Sequence, residues 1–163
     1  MQRLWVGLII SMVLVGVGCA RQSRVGFQER AFFTHEGLPR PQLLGLSSDT
    51  LPKIEEGAPY YRDELGYVYR LTERADSLEV WIEYYTGSRG RIQTVSFTYE
   101  TPKFRVLTKR YQEWRSFLQG VYGMSQGHVG HEVWQTAEGQ RVRLVLSPER
   151  RYLQVSFSLP SQE

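Results

Sequence analysis

The sequence predicts an α+β protein: two units, each a helix followed by a three-stranded meander, that form one antiparallel sheet with helices packed on one face. Three observations carry that prediction. Apolar residues recur at intervals of three and four from Phe104 to Val121, the period of a helix that buries one side. Several shorter runs alternate apolar with polar residues, the period of a half-buried strand. Finally, Arg91 to Tyr99 (RIQTVSFTY) is echoed at Arg151 to Leu159 (RYLQVSFSL), with Arg first and Val-Ser-Phe at the same offset in both.

The chain opens with Met1-Gln2-Arg3, a short positive region, followed by the uncharged run Leu4 to Val17. That run is shorter than the roughly 18–20 residues a spanning helix needs and fits the apolar core of a signal peptide over residues 1–18. It ends at Gly16-Val17-Gly18-Cys19, which resembles the lipobox of bacterial lipoproteins, with Gly16 standing where that motif usually has Leu. The resemblance implies that Cys19 is acylated and becomes the mature N-terminus. Ala20 after the cysteine, where Asp would favour the inner membrane, implies an outer-membrane anchor facing the periplasm. Cys19 is the only cysteine, so no disulfide is expected and the exported domain is held by its core alone. The net charge of +3 is spread along the chain without a basic block, which argues against a nucleic-acid partner.

Residues 19–46 read as a tether, broken by Pro39 and Pro41, with one aromatic piece (Phe27 to Phe33, FQERAFF) expected to dock on the domain. The first unit spans 47–100. Asp49 or Thr50 can cap a helix near 50–56, Pro52 suits its first turn, and Gly57 ends it ahead of Pro59. Strands follow at Tyr67 to Leu71, Leu78 to Tyr84, and the Arg91 stretch, the last two joined by the turn Gly87-Ser88-Arg89-Gly90. The second unit spans 101–160. Thr101-Pro102 reads as a cap with Pro at the first helical position, and Gly120 or Gly123 as the helix end. Strands follow at Glu132 to Thr136, Arg141 to Ser147 and Arg151 to Leu159, with turns at Glu138-Gly139 and Ser147-Pro148-Glu149.

Both halves therefore run helix, terminating glycine, three strands, as a duplicated unit would. The first half carries Leu44-Gly45-Leu46-Ser47-Ser48-Asp49, then a helix, then Gly57-Ala58-Pro59 and a Tyr-rich strand. This run resembles the BamE/SmpA lipoproteins, which share the fold of the β-lactamase-inhibitor-protein-like modules. The second half lacks the Pro, having Gly123-Met124-Ser125 instead. The resemblance implies a periplasm-facing lipoprotein that binds other proteins, and it transfers no catalytic residue.

The residues that could carry chemistry fall short of a site. His128 and His131, beside Glu132, have a metal-like spacing, but a zinc site needs at least about three protein ligands and the remaining histidine, His35, lies in the tether. Glu79 with Glu83, and Asp63 with Glu64, are candidate acid/base pairs only if buried, and strand alternation puts the first two on a polar-leaning face. Ser88 sits in a hairpin turn without the spacing of a nucleophile elbow. No catalytic residue, metal or cofactor is expected, and the protein is read as not an enzyme. The aromatics crowd between Tyr60 and Tyr85, and an open sheet face would display part of that set. Trp81, Tyr85, Tyr67 and Tyr69 are the candidate interaction surface, since exposed Trp, Tyr and Arg dominate protein interfaces. The expected function is a membrane-tethered, non-enzymatic module that binds an envelope protein partner. The alternatives are a periplasmic small-ligand or lipid carrier and, below it, a hydrolase.

Overall fold

The alternating segments all join one sheet. A computed structural model describes residues 27–160, so Cys19 and the signal-peptide segment lie outside the described residues. The elements are α1 (Phe27–Phe32), a 3-10 turn (Arg40–Leu43), a second 3-10 turn (Ser48–Thr50) running into α2 (Leu51–Ile54), then β1 (Tyr61–Arg62), β2 (Gly66–Glu73), β3 (Leu78–Thr86) and β4 (Ile92–Glu100). They continue with α3 (Phe104–Tyr122), β5 (Gln126–His128), β6 (His131–Gln135), β7 (Arg141–Ser147) and β8 (Tyr152–Ser158). The fold is α+β, with one eight-stranded antiparallel sheet in the order β1-β2-β3-β4-β8-β7-β6-β5. No helix among the described residues is long and apolar enough to cross a membrane.

The two echoed stretches, β4 and β8, are neighbours at the centre of the sheet. Their shared tripeptides pair with each other: Val95 opposes Phe157, Ser96 opposes Ser156, and Phe97 opposes Val155. One face thus collects Tyr84, Ile82, Val95, Phe97, Tyr99, Val155, Phe157 and Leu144, all buried. α3 packs over β7 and β8 on this face through Leu107, Tyr111, Trp114 and Leu118. Trp114 stacks on Phe97 with ring centres 5.9 Å apart and donates its indole N–H to the Tyr99 hydroxyl at 3.0 Å. Burying such aromatic side chains is worth about 1.5–3 kcal/mol each. The ends of the stripe, Phe104 and Val121, remain exposed.

The docking segment is built into this core. Phe32 packs edge-on against Trp114 and Phe117, with centres 5.8 and 5.5 Å away, and also meets Phe97 and Phe157. Residues 27–46 are consequently part of the domain and not free tether: Phe33 bridges Pro39, Leu43 is buried, and Gly45 and Leu46 exchange backbone bonds with Ile92.

Two boundaries move for identifiable reasons. Ser47 caps the 3-10 turn that leads into α2, its hydroxyl accepting from the Asp49 N–H; α2 itself has Thr50 at its N-cap without a side-chain bond and ends at Ile54, where Glu55 turns extended into the core. Thr101 does not cap α3. Its hydroxyl donates to the Asp76 carbonyl at 3.0 Å and accepts from the Lys103 N–H, so the helix starts at Phe104. Gly123, at φ 79°, closes it. Sequence periodicity also misses β1 and β5, the outermost strands, since two or three residues are too few to show alternation.

Candidate functional site

The sheet face opposite the helices is uncovered among the described residues, and its two halves differ. Toward β8 it is small and polar: Ser96, Thr98, Gln154 and Ser156 line the centre, with Gln154 donating to Thr98. Toward β1 it is aromatic. Trp81, on β3, stands beside Arg70 of β2 across the ladder. The Tyr60 ring lies 5.2 Å from Trp81, and the Arg70 guanidinium lies over both rings at 4.8 and 5.6 Å. A cation over two aromatic faces holds all three side chains upright, because the negative ring quadrupoles attract it. Trp81 is tied further by its indole N–H to Glu100 at 3.1 Å.

Tyr85 completes the patch, with Tyr61 and Leu65 at its rim; they are 45%, 55% and 66% exposed. The Tyr85 hydroxyl donates to Glu83 at 3.1 Å, and burial, followed by the Glu83 carboxylate, pushes its pKa up to about 12. The phenol therefore stays neutral and keeps its bond to Glu83 at ordinary pH.

Two of the four aromatics named from sequence belong elsewhere. Tyr67 and Tyr69 point to the covered face, each 4% exposed, and are core residues. Alternation explains the difference: Arg70, between Tyr69 and Leu71, occupies the opposite face and marks which side is solvated. Tyr60, Tyr61 and Arg70 replace them on the open surface. Tyr60-Tyr61, directly after Gly57-Ala58-Pro59, was the signal in the sequence for the first two.

Behind the patch, on the covered side of β2, is a cleft of about 490 Å³ between the α1 turn, the segment after α2, and the sheet. Its floor carries a buried ionic cluster that local sequence does not announce. Arg40 makes a two-pronged ion pair with Glu55, Nε to Oε1 at 2.7 Å and Nη2 to Oε2 at 2.6 Å. Its other terminal nitrogen donates to the carbonyls of Arg30, Ala31 and Phe33 at the end of α1, and the Tyr84 hydroxyl donates to Glu55. Burial works against the Arg40 charge, but the Glu55 hydrogen bonds and the nearby Tyr84 and Glu55 hold its pKa above the usual guanidinium value. Tyr84 is pushed well up by burial and then by the Glu55 charge. With every charge matched, this cluster pins α1 to the sheet. It offers no free acid or base.

The second half holds a similar arrangement around Glu132, which is 2% exposed. Its carboxylate accepts from Tyr111 at 2.6 Å, Arg115 at 2.8 Å and Ser125 at 3.0 Å. Burial opposes its ionisation, yet these donors together hold its pKa below the ordinary carboxyl range. Glu132 thereby points away from the histidines it adjoins. His128 and His131 are an exposed cross-strand pair on the other face of the β5–β6 hairpin, with ring centres 5.6 Å apart. Among the described residues no three His, Cys, Asp or Glu side chains gather around a common point. Glu79 and Glu83 lie on the open face and are engaged by Arg70, and by Tyr85 and Thr98. Asp63 is consumed in the β1–β2 turn, where it accepts from the Leu65 and Gly66 amides.

A scan of the chain against protein-family models finds no match, and neither the curated proteins nor the solved structures contain one.

Proposed function

We propose that this chain is a membrane-tethered envelope lipoprotein acting as a non-enzymatic protein-interaction module, and that the open face of β1–β3 is its binding surface. The carrying observation is the Tyr60–Arg70–Trp81 stack, flanked by Tyr61, Leu65 and Tyr85. Large aromatics braced by an arginine bring contact area at low entropic loss, which is why such residues anchor interfaces. The test is capture from crosslinked cells. The wild-type chain recovers an envelope protein, Trp81→Ala loses it, and Arg143→Ala, on the polar half of the same face, keeps it. Equal recovery by all three refutes the reading.

The tether belongs to the same reading. Cys19, after its lipobox-like run, is the proposed acylation site and fixes the chain to the periplasmic side of the outer membrane. Cys19→Ser is expected to abolish palmitate incorporation, while persistent labelling would refute lipidation. The two-unit architecture is proposed as a duplication, supported by the pairing of the echoed strands about Ser96 and Ser156 and by the mirrored strand order on either side of them.

A further inference from the structure

The outer side of β2 is only partly covered. β1 pairs with Tyr67 and Val68 alone, although β2 runs from Gly66 to Glu73. The Tyr60 N–H reaches the Val68 carbonyl at 2.8 Å, so Val68 turns its backbone groups outward, away from β3. Residues of one parity share that direction, which means Arg70 and Thr72 also present N–H and C=O outward. No strand meets them there among the described residues. An open, multi-residue edge is a template for another extended chain unless something blocks it. No bulge or proline blocks this one.

The cleft lies beside that open length, lined by Ala58 and Tyr60 on one side and Tyr69, Arg70 and Leu71 on the other. Tyr69 is almost fully buried, and its hydroxyl has no hydrogen-bond partner among the described residues. A buried hydroxyl left without a partner is unfavourable. The lining carries one more guanidinium than carboxylate: Arg40 and Glu55 cancel, leaving Arg30 and Arg70 against Glu56.

We propose that the Arg70–Thr72 edge of β2 is a strand-addition site that takes an extended acidic segment of a protein partner, with one acidic side chain entering the cleft. The inference rests on the interaction-module reading for the nature of the partner, and it adds the mode of binding. An added strand continues the line of β1, and its side chains alternate between faces. Those on one side enter the cleft toward Tyr69, Arg30 and His35. Those on the other lie against the Tyr60–Arg70–Trp81 stack, so a single segment engages both features. Charge selects this occupant over the alternatives. A second copy would bring two sets of Arg30 and Arg70 together, and residues 20–26 of this chain carry Arg21 and Arg24 with no acid.

A random heptapeptide library displayed on phage is panned against the full chain in detergent, and synthetic versions of enriched peptides are titrated. Acidic, β-prone sequences should emerge and bind at least about tenfold more weakly to Thr72→Pro. That substitution removes an outward N–H and spares the β2–β3 ladder. Arg30→Glu should weaken the same peptides and reduce their salt sensitivity. Amide hydrogen exchange on the unaltered chain guards against a folding artefact: Arg70 and Thr72 should exchange fast in the free protein and slow with peptide bound. The proposal is overturned if Thr72→Pro binds equally well, if no acidic bias emerges, or if those amides are already slow in the free monomer. A dimer with the same amides protected also overturns it, because the edge then belongs to a second copy. Loss of capture by Trp81→Ala with full retention by Thr72→Pro would sink strand addition and leave the interaction-module reading intact.

Discussion

Arg40 stands between two prolines, Pro39 and Pro41, and nothing in its neighbourhood signals burial. Its partner Glu55 is fifteen positions away, at the point where α2 gives way to extended chain. Removing one member of such a pair strands a charge in the interior. Arg40→Met is therefore expected to destabilise the fold by about 3–5 kcal/mol in urea unfolding, and the double variant Arg40→Met/Glu55→Leu by clearly less than the two single losses added. Additive losses would show that the two side chains do not act as a pair. Glu132 carries a pH signature. Its folded pKa is lowered, so its contribution is present above the unfolded carboxyl value of about 4.3 and disappears as pH falls through the folded value. Urea midpoints measured across an acid series should drop below about pH 4.3, and Glu132→Gln should flatten that limb while lowering stability at neutral pH.

At the scale of elements, length decides what the sequence reveals. α3 and the longer strands β2, β3, β4, β7 and β8 announce themselves because many residues repeat the same choice of face. β1 and β5 exist only through their hairpins. Gly66 shows how tightly the first is drawn: a Cβ there would lie 1.8 Å from the Tyr84 carbonyl oxygen, inside any allowed contact. Gly66→Ala is expected to detach β1 and the Tyr60–Tyr61 corner, seen as faster exchange of the Tyr60 amide and loss of binding, with β7 and β8 unaffected. In the core, Trp114→Ala removes the surface on which Phe32, Phe97 and Phe117 meet. A loss of about 3–5 kcal/mol is expected, together with release of α1, since Phe32 then has no aromatic wall. Calorimetric unfolding and proteolysis near residue 30 check both parts.

Across the whole molecule, the uneven open face gives the protein a direction: polar at the centre, aromatic toward β1, with the cleft behind that edge. Local pattern determined the α+β class, the helix from the low 100s to Gly123, the main strands and the likeness of RIQTVSFTY to RYLQVSFSL, because periodicity and turn chemistry act between residues close in the chain. It also named Trp81 and Tyr85 as surface aromatics. Tertiary structure alone decided that Tyr67 and Tyr69 face inward, that Tyr60 and Arg70 brace Trp81, that Ala31 and Phe32 join the core, and that Arg40 and Glu55 meet. Each depends on which face of a strand is covered and on what long-range pairing brings alongside. A residue's own neighbourhood holds no record of either, because burial is set by the partner that arrives from elsewhere in the chain.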